Sequence, residues 1–322
     1  MERKEKLCYK VEPTNESELG RDKMKKYKLL KDDFIEWKGV TRLYRIKACK
    51  SFGDVKEGDL GGYVEHEWNL SHEGICWIYD DAKVWGNARI YNDVRVWENA
   101  SIHGKACAKG RASIHGNAEI FGSALIRDCA EVGDNAKIYG SAVVGDFAEI
   151  GGNAEIFGSV QVYDFAKISG NAKIFNRARI GGETLISGDA RVYGEAKIMY
   201  GSLTKDIKDD LVQYIACSLN TYPVDGKYIL FKRVNRKTRG IYTSLFDSSF
   251  IYRDGEYAEI KNPDLDFLES CGGGIHVSTP FFWQDGDTLI AVEVNIEDII
   301  TCMNGKLRCK RVKVIGEVQT KM

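Results

Sequence analysis

The chain has 322 residues, which is enough for two or three domains and for a well-buried core. Its 46 Lys and Arg residues almost balance its 47 Asp and Glu residues, so no global field would attract nucleic acid or an anionic membrane surface. No apolar run approaches the length of about eighteen residues that a membrane-spanning helix requires, which excludes the common class of helical membrane proteins.

The nine cysteines are scattered along the chain and form no C-x-x-C pair. An odd number of isolated cysteines is typical of proteins in a reducing compartment, and predicts neither a disulfide framework nor a zinc site. The charged start of the chain lacks the pattern of a secretory signal. We therefore expect a cytoplasmic protein without a metal site and without nucleic-acid or membrane partners, and no cofactor is identified.

The N-terminal region divides into two segments. Residues 1–26 are highly charged with few apolar positions, which predicts a flexible tail. Residues 27–74 contain two stretches, 34–37 and 43–46, that alternate like paired strands around a Lys-Gly turn. We expect this segment to cap the exposed edge of the structure that follows it.

Residues 75–202 divide into six-residue units such as DAKVWG, NARIYN, NAEIFG and NAKIYG. The second position is nearly always Ala and the fourth nearly always Ile or Val, with a polar residue between them, which is the period of a strand. Gly, Asn and Asp at the unit boundaries tolerate the left-handed backbone of a sharp corner. Each unit therefore predicts a short strand followed by a bend.

A longer period shows how these units assemble. Asparagine recurs every eighteen residues, with an aspartate next in line: Asn99, Asn117, Asn135, Asn153, Asn171 and Asp189. Three units thus close one triangular coil, and like residues stack from coil to coil. About seven coils, each advancing roughly 4.8 Å, predict a parallel β-helix about 34 Å long.

The array resembles the hexapeptide-repeat superfamily of left-handed parallel β-helices, whose aliphatic and small residues recur as in Ile120, Gly122, Ser123 and Ala124. The resemblance implies a left-handed coil and assembly as parallel trimers. The approach to the array, in residues 58–64, 69–71 and 74–80, is similar to the start of phage and prophage hexapeptide proteins, and of enterobacterial proteins labelled putative transferases. We therefore expect a mainly β protein in which a left-handed β-helix follows the N-terminal cap.

One face of the predicted helix carries a ring in every coil, at Trp85, His103, Phe121, Tyr139, Phe157, Phe175 and Tyr193. The rings could simply stack and stabilise neighbouring coils. Alternatively they could be buried in an oligomer or domain interface, since an exposed apolar patch of this length is unusual in a monomer. The family resemblance favours burial of this face in a homotrimer, and packing of the C-terminal domain against it is the other candidate. A stacking platform for a sugar or nucleobase is a third interpretation.

The array lacks the features that a catalytic site of this superfamily would need. Acyltransferases of the resembled superfamily usually need a catalytic histidine and a long loop that shapes the acceptor site. Here His103 and His115 lie on different faces, in slots where other units carry aromatic rings, and no loop interrupts the coils. We therefore assign no catalytic residue to the array.

Residues 203–322 have a different composition and predict an α+β domain. Ile207, Leu211 and Ile215 fall four apart, as on an amphipathic helix. Strands are predicted at 228–234, 241–246, 251–252, 274–279, 288–294 and 307–318, and a short helix at 296–303.

The segment 271–279, CGGGIHVST, is the main candidate for a ligand site. Three glycines before a strand permit close approach of a ligand, and His276 would lie beside them at the start of the strand. The structural alternative to a ligand site is a flexible turn followed by an ordinary strand histidine. The segment is similar to ADP-ribosyltransferase-type domains, and that resemblance implies a nucleotide or NAD site. The candidate residues are Arg233, Gly272, Gly273, Gly274, His276 and Glu293.

Three functions follow from these observations. The first is a non-catalytic, phage- or prophage-type scaffold whose helix trimerises and displays C-terminal domains that bind a host protein or a small molecule. The second is a nucleotide- or NAD-binding protein, or an ADP-ribosyltransferase-like enzyme. The third is a hexapeptide acyltransferase, which would bind coenzyme A between subunits.

Overall fold

The computed structural model describes residues 25–39 and 41–319. The predicted flexible tail lies outside these residues, apart from Lys25 and Lys26. The protein is mainly β, with a parallel β-solenoid between an N-terminal antiparallel cap and a C-terminal region of antiparallel sheets. In the part of the chain that the structure describes, no helix is long and apolar enough to cross a membrane.

The cap contains β1 (Tyr27–Trp37), β2 (Thr41–Ala48) and β3 (Leu60–Val64), followed by a short 3₁₀ helix (Glu67–Asn69). The solenoid strands are β4 (Trp77–Ile78), β5 (Lys83–Val84), β6 (Arg89–Ile90), β7 (Arg95–Val96), β8 (Ser101–Ile102), β9 (Cys107–Ala108), β10 (Ser113–Ile114), β11 (Glu119–Ile120), β12 (Leu125–Ile126), β13 (Glu131–Val132), β14 (Lys137–Ile138), β15 (Val143–Val144), β16 (Glu149–Ile150), β17 (Glu155–Ile156), β18 (Gln161–Val162), β19 (Lys167–Ile168), β20 (Lys173–Ile174), β21 (Arg179–Ile180), β22 (Leu185–Ile186), β23 (Arg191–Val192), β24 (Lys197–Ile198) and β25 (Ser202–Leu203). The C-terminal region contains α1 (Leu211–Leu219), β26 (Lys227–Thr238), β27 (Ile241–Thr243), β28 (Ile251–Arg253), β29 (Tyr257–Glu259), β30 (Ile275–Val277), β31 (Thr288–Asn295), a 3₁₀ helix (Ile296–Asp298), β32 (Ile299–Met303), β33 (Lys306–Cys309) and β34 (Arg311–Glu317).

The solenoid strands form three parallel sheets, one for each side of the coil. One sheet runs from β4 to β25 with eight strands, and a second runs from β6 to β24 with seven. The third joins seven solenoid strands to the cap. Every third strand pairs with the next coil, as where Ser113 lies opposite Arg95 on one side and Glu131 on the other, which confirms the eighteen-residue coil.

The interior of each coil is filled by the small and the branched residue of each unit. Ala136 and Ile138, for example, are fully buried, and the same positions in neighbouring coils are buried too. The corners are closed by polar side chains. Asn117 donates to Asn135 at 3.0 Å, and the same amide contact continues through Asn153 and Asn171 to the next aspartate. The stacked corner predicted from the sequence is therefore present as a hydrogen-bonded ladder.

The cap covers the first coil. Strand β3 pairs in parallel with β5, so the antiparallel β1–β2–β3 sheet continues directly into one side of the solenoid. Lys26, at the end of the predicted tail, is fully buried, and its Nζ donates to the Cys76 carbonyl oxygen at 2.9 Å. The lysine therefore satisfies backbone acceptors at the open end of the coil, and the tail prediction is wrong for this residue.

The C-terminal region closes the other end. The helix begins at Leu211, later than predicted, because the Asp210 side chain caps it by accepting the Gln213 N–H. The predicted short helix at 296–303 is wrong: one 3₁₀ turn is followed by strand β32, which pairs with β33. The predicted strand at 307–318 divides into β33 and β34, which belong to different sheets.

Two antiparallel sheets make up this C-terminal region. A six-stranded sheet has the order β28-β27-β26-β31-β34-β29, and a three-stranded sheet has the order β30-β33-β32. The isolated bridge between Phe231 and Ser278 links β26 with the residue after β30. Side chains from both sheets therefore meet in one place, which holds the candidate site.

Candidate ligand-binding site

A cavity of about 430 Å³ opens where the two C-terminal sheets meet. The cavity is lined by Lys232, Ser244, Phe246, Asp247, Phe250, Tyr252, Ile260, Cys271, Gly272, Gly273, Gly274, Ile275, His276, Trp283 and Lys306. Its size falls within the range of pockets that hold small molecules. The wall combines aromatic rings with two lysines, one histidine and one cysteine.

Lys232 is the most buried charged group of the wall, with 7% of its surface exposed. It lies on β26, where alternate residues face the core, and its Nζ donates to the His276 carbonyl oxygen at 3.1 Å. The same nitrogen lies 5.3 Å from the centre of the Trp283 ring and 5.9 Å from that of Tyr252. Burial, together with the nearby Lys306, lowers the pKa of Lys232 to about 8.

His276 lies on β30, opposite Arg308 of β33. Burial, reinforced by Lys306, Lys232 and Arg308, lowers the pKa of its imidazole to about 4, so the ring is neutral at physiological pH. Its Nε2 atom is buried and has no hydrogen-bond partner among the described residues. A buried polar atom without a partner is costly to a folded protein unless a water or a ligand satisfies it.

The cavity wall also contains a thiol and an amine in contact. Lys306 Nζ lies 3.1 Å from Cys271 Sγ, and Cys271 is exposed. Hydrogen bonds from Ser270 and then from Lys306 lower the pKa of the thiol. The other cysteines in the described residues are buried or half-buried.

The three candidate glycines line the cavity, but packing explains two of them. A Cβ atom on Gly272 would lie 1.8 Å from Arg308 Nη1, and one on Gly274 would lie 2.5 Å from Arg308 Cγ. Arg308 is buried and pairs with Asp264 at 3.1 Å. The glycine run therefore makes room for a buried arginine beneath it, whereas Gly273 has no neighbour closer than 3.6 Å.

Arg233 and Glu293 do not line this cavity. Successive residues of a strand point to opposite faces, so Arg233 lies on the other side of the sheet from Lys232. Its Nη1 donates to the Gly286 carbonyl oxygen at 3.1 Å. Glu293, opposite Ile229 in the β26–β31 pairing, forms an ion pair with Lys227 at 2.9 Å. The six candidate residues therefore do not converge on one site, and only four of them line the cavity.

The sequence gives no motif around Lys232, Lys306 or Trp283, so none of the three was predicted to belong to a site. Lys232 follows a run of apolar residues on β26, and the β33 lysine lies more than seventy positions further along. One signal was available: Lys232 occupies a position of β26 whose neighbours at alternate positions, Leu230 and Val234, are apolar. A lysine in the inward register of a strand is uncommon and marks a candidate site.

The rings of the solenoid form one column, called here the ring column. It comprises Trp85, His103, Phe121, Tyr139, Phe157, Phe175 and Tyr193, with successive centroids 4.3–5.2 Å apart. Trp37 of the cap meets one end and Phe267 of the C-terminal region meets the other. The rings are half-buried by their own neighbours. Stacking within the chain thus accounts for much of their burial, and an interface on this face stays a prediction.

The two solenoid histidines both stack on a tryptophan. His103 lies in the ring column, 3.3 Å from Glu119, and burial lowers its pKa. His115 stacks on Trp97, and its Nε2 lies 3.1 Å from Glu131 Oε1. His115 and Glu131 also border a shallow groove of about 260 Å³ on their face of the solenoid. No group of three or more metal-ligating side chains occurs within residues 25–39 and 41–319.

Comparison with known proteins gives one partial similarity. A stretch of 47 residues is 45% identical to a protein named "Uncharacterized acetyltransferase YdcK" from Escherichia coli (strain K12). The similarity covers 14% of this chain and 14% of that protein's length. No protein-family model matches the chain. The similarity and the parallel β-solenoid are consistent with the hexapeptide-repeat superfamily. The sequence similarity leaves most of both chains unmatched.

Proposed function

We propose that the C-terminal region binds a small molecule that combines a planar or aromatic part with a negatively charged group, and that the β-solenoid carries this binding region. The observation that supports the proposal is the buried Lys232 amine, near Lys306, in the wall of an aromatic-walled cavity. A nucleotide-like molecule has the required chemistry. The proposal keeps the small-molecule interpretation of the sequence and assigns it to a different set of residues.

The charge of the wall favours an anion. Lys232 and Lys306 contribute two amines, whereas Asp247 is the one carboxylate of the lining and is already held by the Ser249 hydroxyl and backbone N–H. Lys232 uses one of its three donors on the His276 carbonyl oxygen. Two donors of this buried amine therefore have no acceptor among the described residues, and a ligand oxygen would satisfy them.

The rings of the wall favour a planar group. Trp283 is fixed by donating its Nε1–H to the Phe231 carbonyl oxygen at 3.0 Å. Phe250 packs edge-on against Tyr252, with centroids 5.1 Å apart. Phe246 lies at the edge of the cavity and is 92% exposed, so its ring is available to cover a bound molecule. Rigid aromatic walls bind planar ligands with little loss of conformational entropy.

A thermal-shift screen of the full chain tests the proposal. The set would include nucleotides, NAD and aromatic carboxylates, each compared with a neutral analogue of the same shape. We expect stabilisation by anionic members only, and a Lys306→Gln variant should weaken binding about 10- to 100-fold because a charge-assisted hydrogen bond is worth about 1.5–3 kcal/mol. Lys237→Gln, on the exposed end of β26, is the matched control. Equal effects of the two variants, or no anion preference, would contradict the proposal.

Acyl transfer is the second candidate, and the acetyltransferase similarity favours it. The His115–Glu131 pair beside the solenoid groove would supply the general base, which removes a proton from an acceptor amine or hydroxyl. The test is release of free thiol from acetyl coenzyme A in the presence of a range of acceptors. His115→Asn should abolish the activity and His103→Asn should spare it. Thiol release that survives His115→Asn would exclude this site.

The wider scaffold hypothesis concerns assembly. In it, the solenoid associates as a homotrimer and displays three cavities, so that a multivalent partner such as a host protein gains avidity. Sedimentation at micromolar concentration tests the trimer directly, since a monomer there would exclude it. The phage or prophage type stays a prediction from the sequence resemblance.

A further inference from the structure

Lys232 combines three properties of a covalent ligand-binding residue: it is buried, it lines a cavity, and it lies beside another amine, Lys306, which disfavours its protonated form. We infer that Lys232 captures a ligand aldehyde or ketone as a Schiff base, with Lys306 pairing with an anionic group of the same ligand. The inference rests on the proposed function, because it assumes that the cavity takes an anionic small molecule. It adds the chemical class of that molecule, which is a carbonyl compound.

The surroundings of Lys232 favour the neutral, nucleophilic amine. The groups that face it are Lys306 and Cys309 from β33, His276 from β30, and the rings of Trp283 and Tyr252. Lys306 repels a second positive charge, and Cys309 is buried so that its thiol stays protonated. No carboxylate forms an ion pair with Lys232 in the described residues. With a pKa of about 8, roughly a tenth of the amine is unprotonated at pH 7, against well under a thousandth for an ordinary lysine.

The step is balanced without an oxidant or a cofactor. The Lys232 nitrogen attacks the carbonyl carbon, and one proton passes from nitrogen to the carbonyl oxygen to give a carbinolamine. That hydroxyl then leaves as water with a second proton, and the carbon–nitrogen double bond forms. Lys232 is held beside the cavity by its hydrogen bond to the His276 carbonyl oxygen, and water in the cavity can carry these protons between the two atoms.

Reductive trapping tests the inference on the full chain. The probe is 4-carboxybenzaldehyde, which carries an aldehyde, a ring and a carboxylate, followed by sodium borohydride and peptide mapping by mass spectrometry. We expect one reduced carboxybenzyl group on Lys232 at pH 7, with a labelling rate on the order of 100-fold above that of exposed lysines. Lys232→Arg, which keeps the positive charge, should lose this label, and Lys237→Arg should keep it.

A pH series on the unsubstituted chain tests the same inference even if the Lys232→Arg variant does not fold. The labelling rate of Lys232 should rise with pH around its low pKa, whereas surface lysines react faster only at much higher pH. Label distributed over surface lysines with Lys232 unmodified would overturn the inference.

The alcohol 4-(hydroxymethyl)benzoate separates this inference from the proposed function. It has the ring and the carboxylate but no carbonyl carbon to attack, so it reports reversible binding alone. Stabilisation by the alcohol without trapping at Lys232 by the aldehyde would overturn the Schiff base and leave the anion site intact. Neither stabilisation nor trapping would overturn both.

Discussion

Replacing Phe157 with alanine tests what the ring column does. Phe157 stacks on Tyr139 at 5.0 Å and on Phe175 at 5.2 Å, with interplanar angles of 3° on both sides. Each aromatic pair contributes about 0.5–1.5 kcal/mol beyond the burial of its surface. Loss of two pairs, with about 1 kcal/mol for the half-buried ring itself, predicts that Phe157→Ala lowers the free energy of unfolding by about 2–4 kcal/mol.

Phe165 supplies the matched control. It stacks on Phe147 at 5.2 Å, has no second ring partner among the described residues, and is 54% exposed. Phe165→Ala should therefore cost only about 0.5–1.5 kcal/mol. The two variants share the residue type but differ in the number of stacking partners and in exposure, because Phe157 directly follows a strand and Phe165 lies in a turn.

Urea unfolding followed by circular dichroism and by tryptophan fluorescence measures both variants, and agreement of the two probes checks that the array unfolds cooperatively. Sedimentation of the same samples reports their assembly state. Equal destabilisation by the two substitutions would refute the stacking argument. A change of assembly state in Phe157→Ala, without a loss of stability in the separated chain, would show that the column serves an interface instead.

Three further predictions concern the ends of the molecule. Gly272→Ala should destabilise the fold by about 1–3 kcal/mol, because its Cβ would displace the buried Arg308 side chain, whereas Gly273→Ala should change stability by less than about 0.5 kcal/mol in the same urea assay. The pKa of His276 is lower in the folded chain than in the unfolded one, so the unfolded state binds the proton more readily. The free energy of unfolding should therefore fall as pH decreases from about 7 to 4, and thermal melts across this range measure the effect. The part of the pH dependence that His276 contributes should be absent in His276→Gln. Lys26→Met should cost about 1–3 kcal/mol, because the buried carbonyl oxygens at the open end of the first coil lose their donor, and unchanged unfolding would contradict that role.

The solenoid was predictable because each of its units specifies the same local structure. Residues such as Ala136 and Ile138 need only the coil above and the coil below, eighteen positions away, to be buried. Consistent patterning at short range therefore determines register, corner and core together. The left-handed coil stays a prediction from the resemblance, since a short strand with a bend does not determine the handedness.

The C-terminal region was less predictable because its contacts join distant strands. Lys232 of β26 meets β30 and β33, and the pairing of β26 with β31 places Arg233 opposite Leu289. Sequence patterns at short range carry no information on such pairings. Arg233 was a candidate through the resemblance, which does not specify the face of a strand; a single position along β26 separates it from Lys232, whose side chain points to the opposite face and lines the cavity.

The solenoid does more than carry the cavity, because its last coil holds one of the cavity strands. The Asn304 N–H, in the turn between β32 and β33, donates to the Glu195 carbonyl oxygen at 2.9 Å. Gly305, the next residue, accepts from the Ser278 hydroxyl at 2.6 Å, and Lys306 follows directly at the cavity wall. Asn304 thus fixes the turn before Lys306 to the final coil, and Gly305 fixes it to the residue after β30. A change in the packing of that coil would therefore reach the proposed anion site across a path of three consecutive residues.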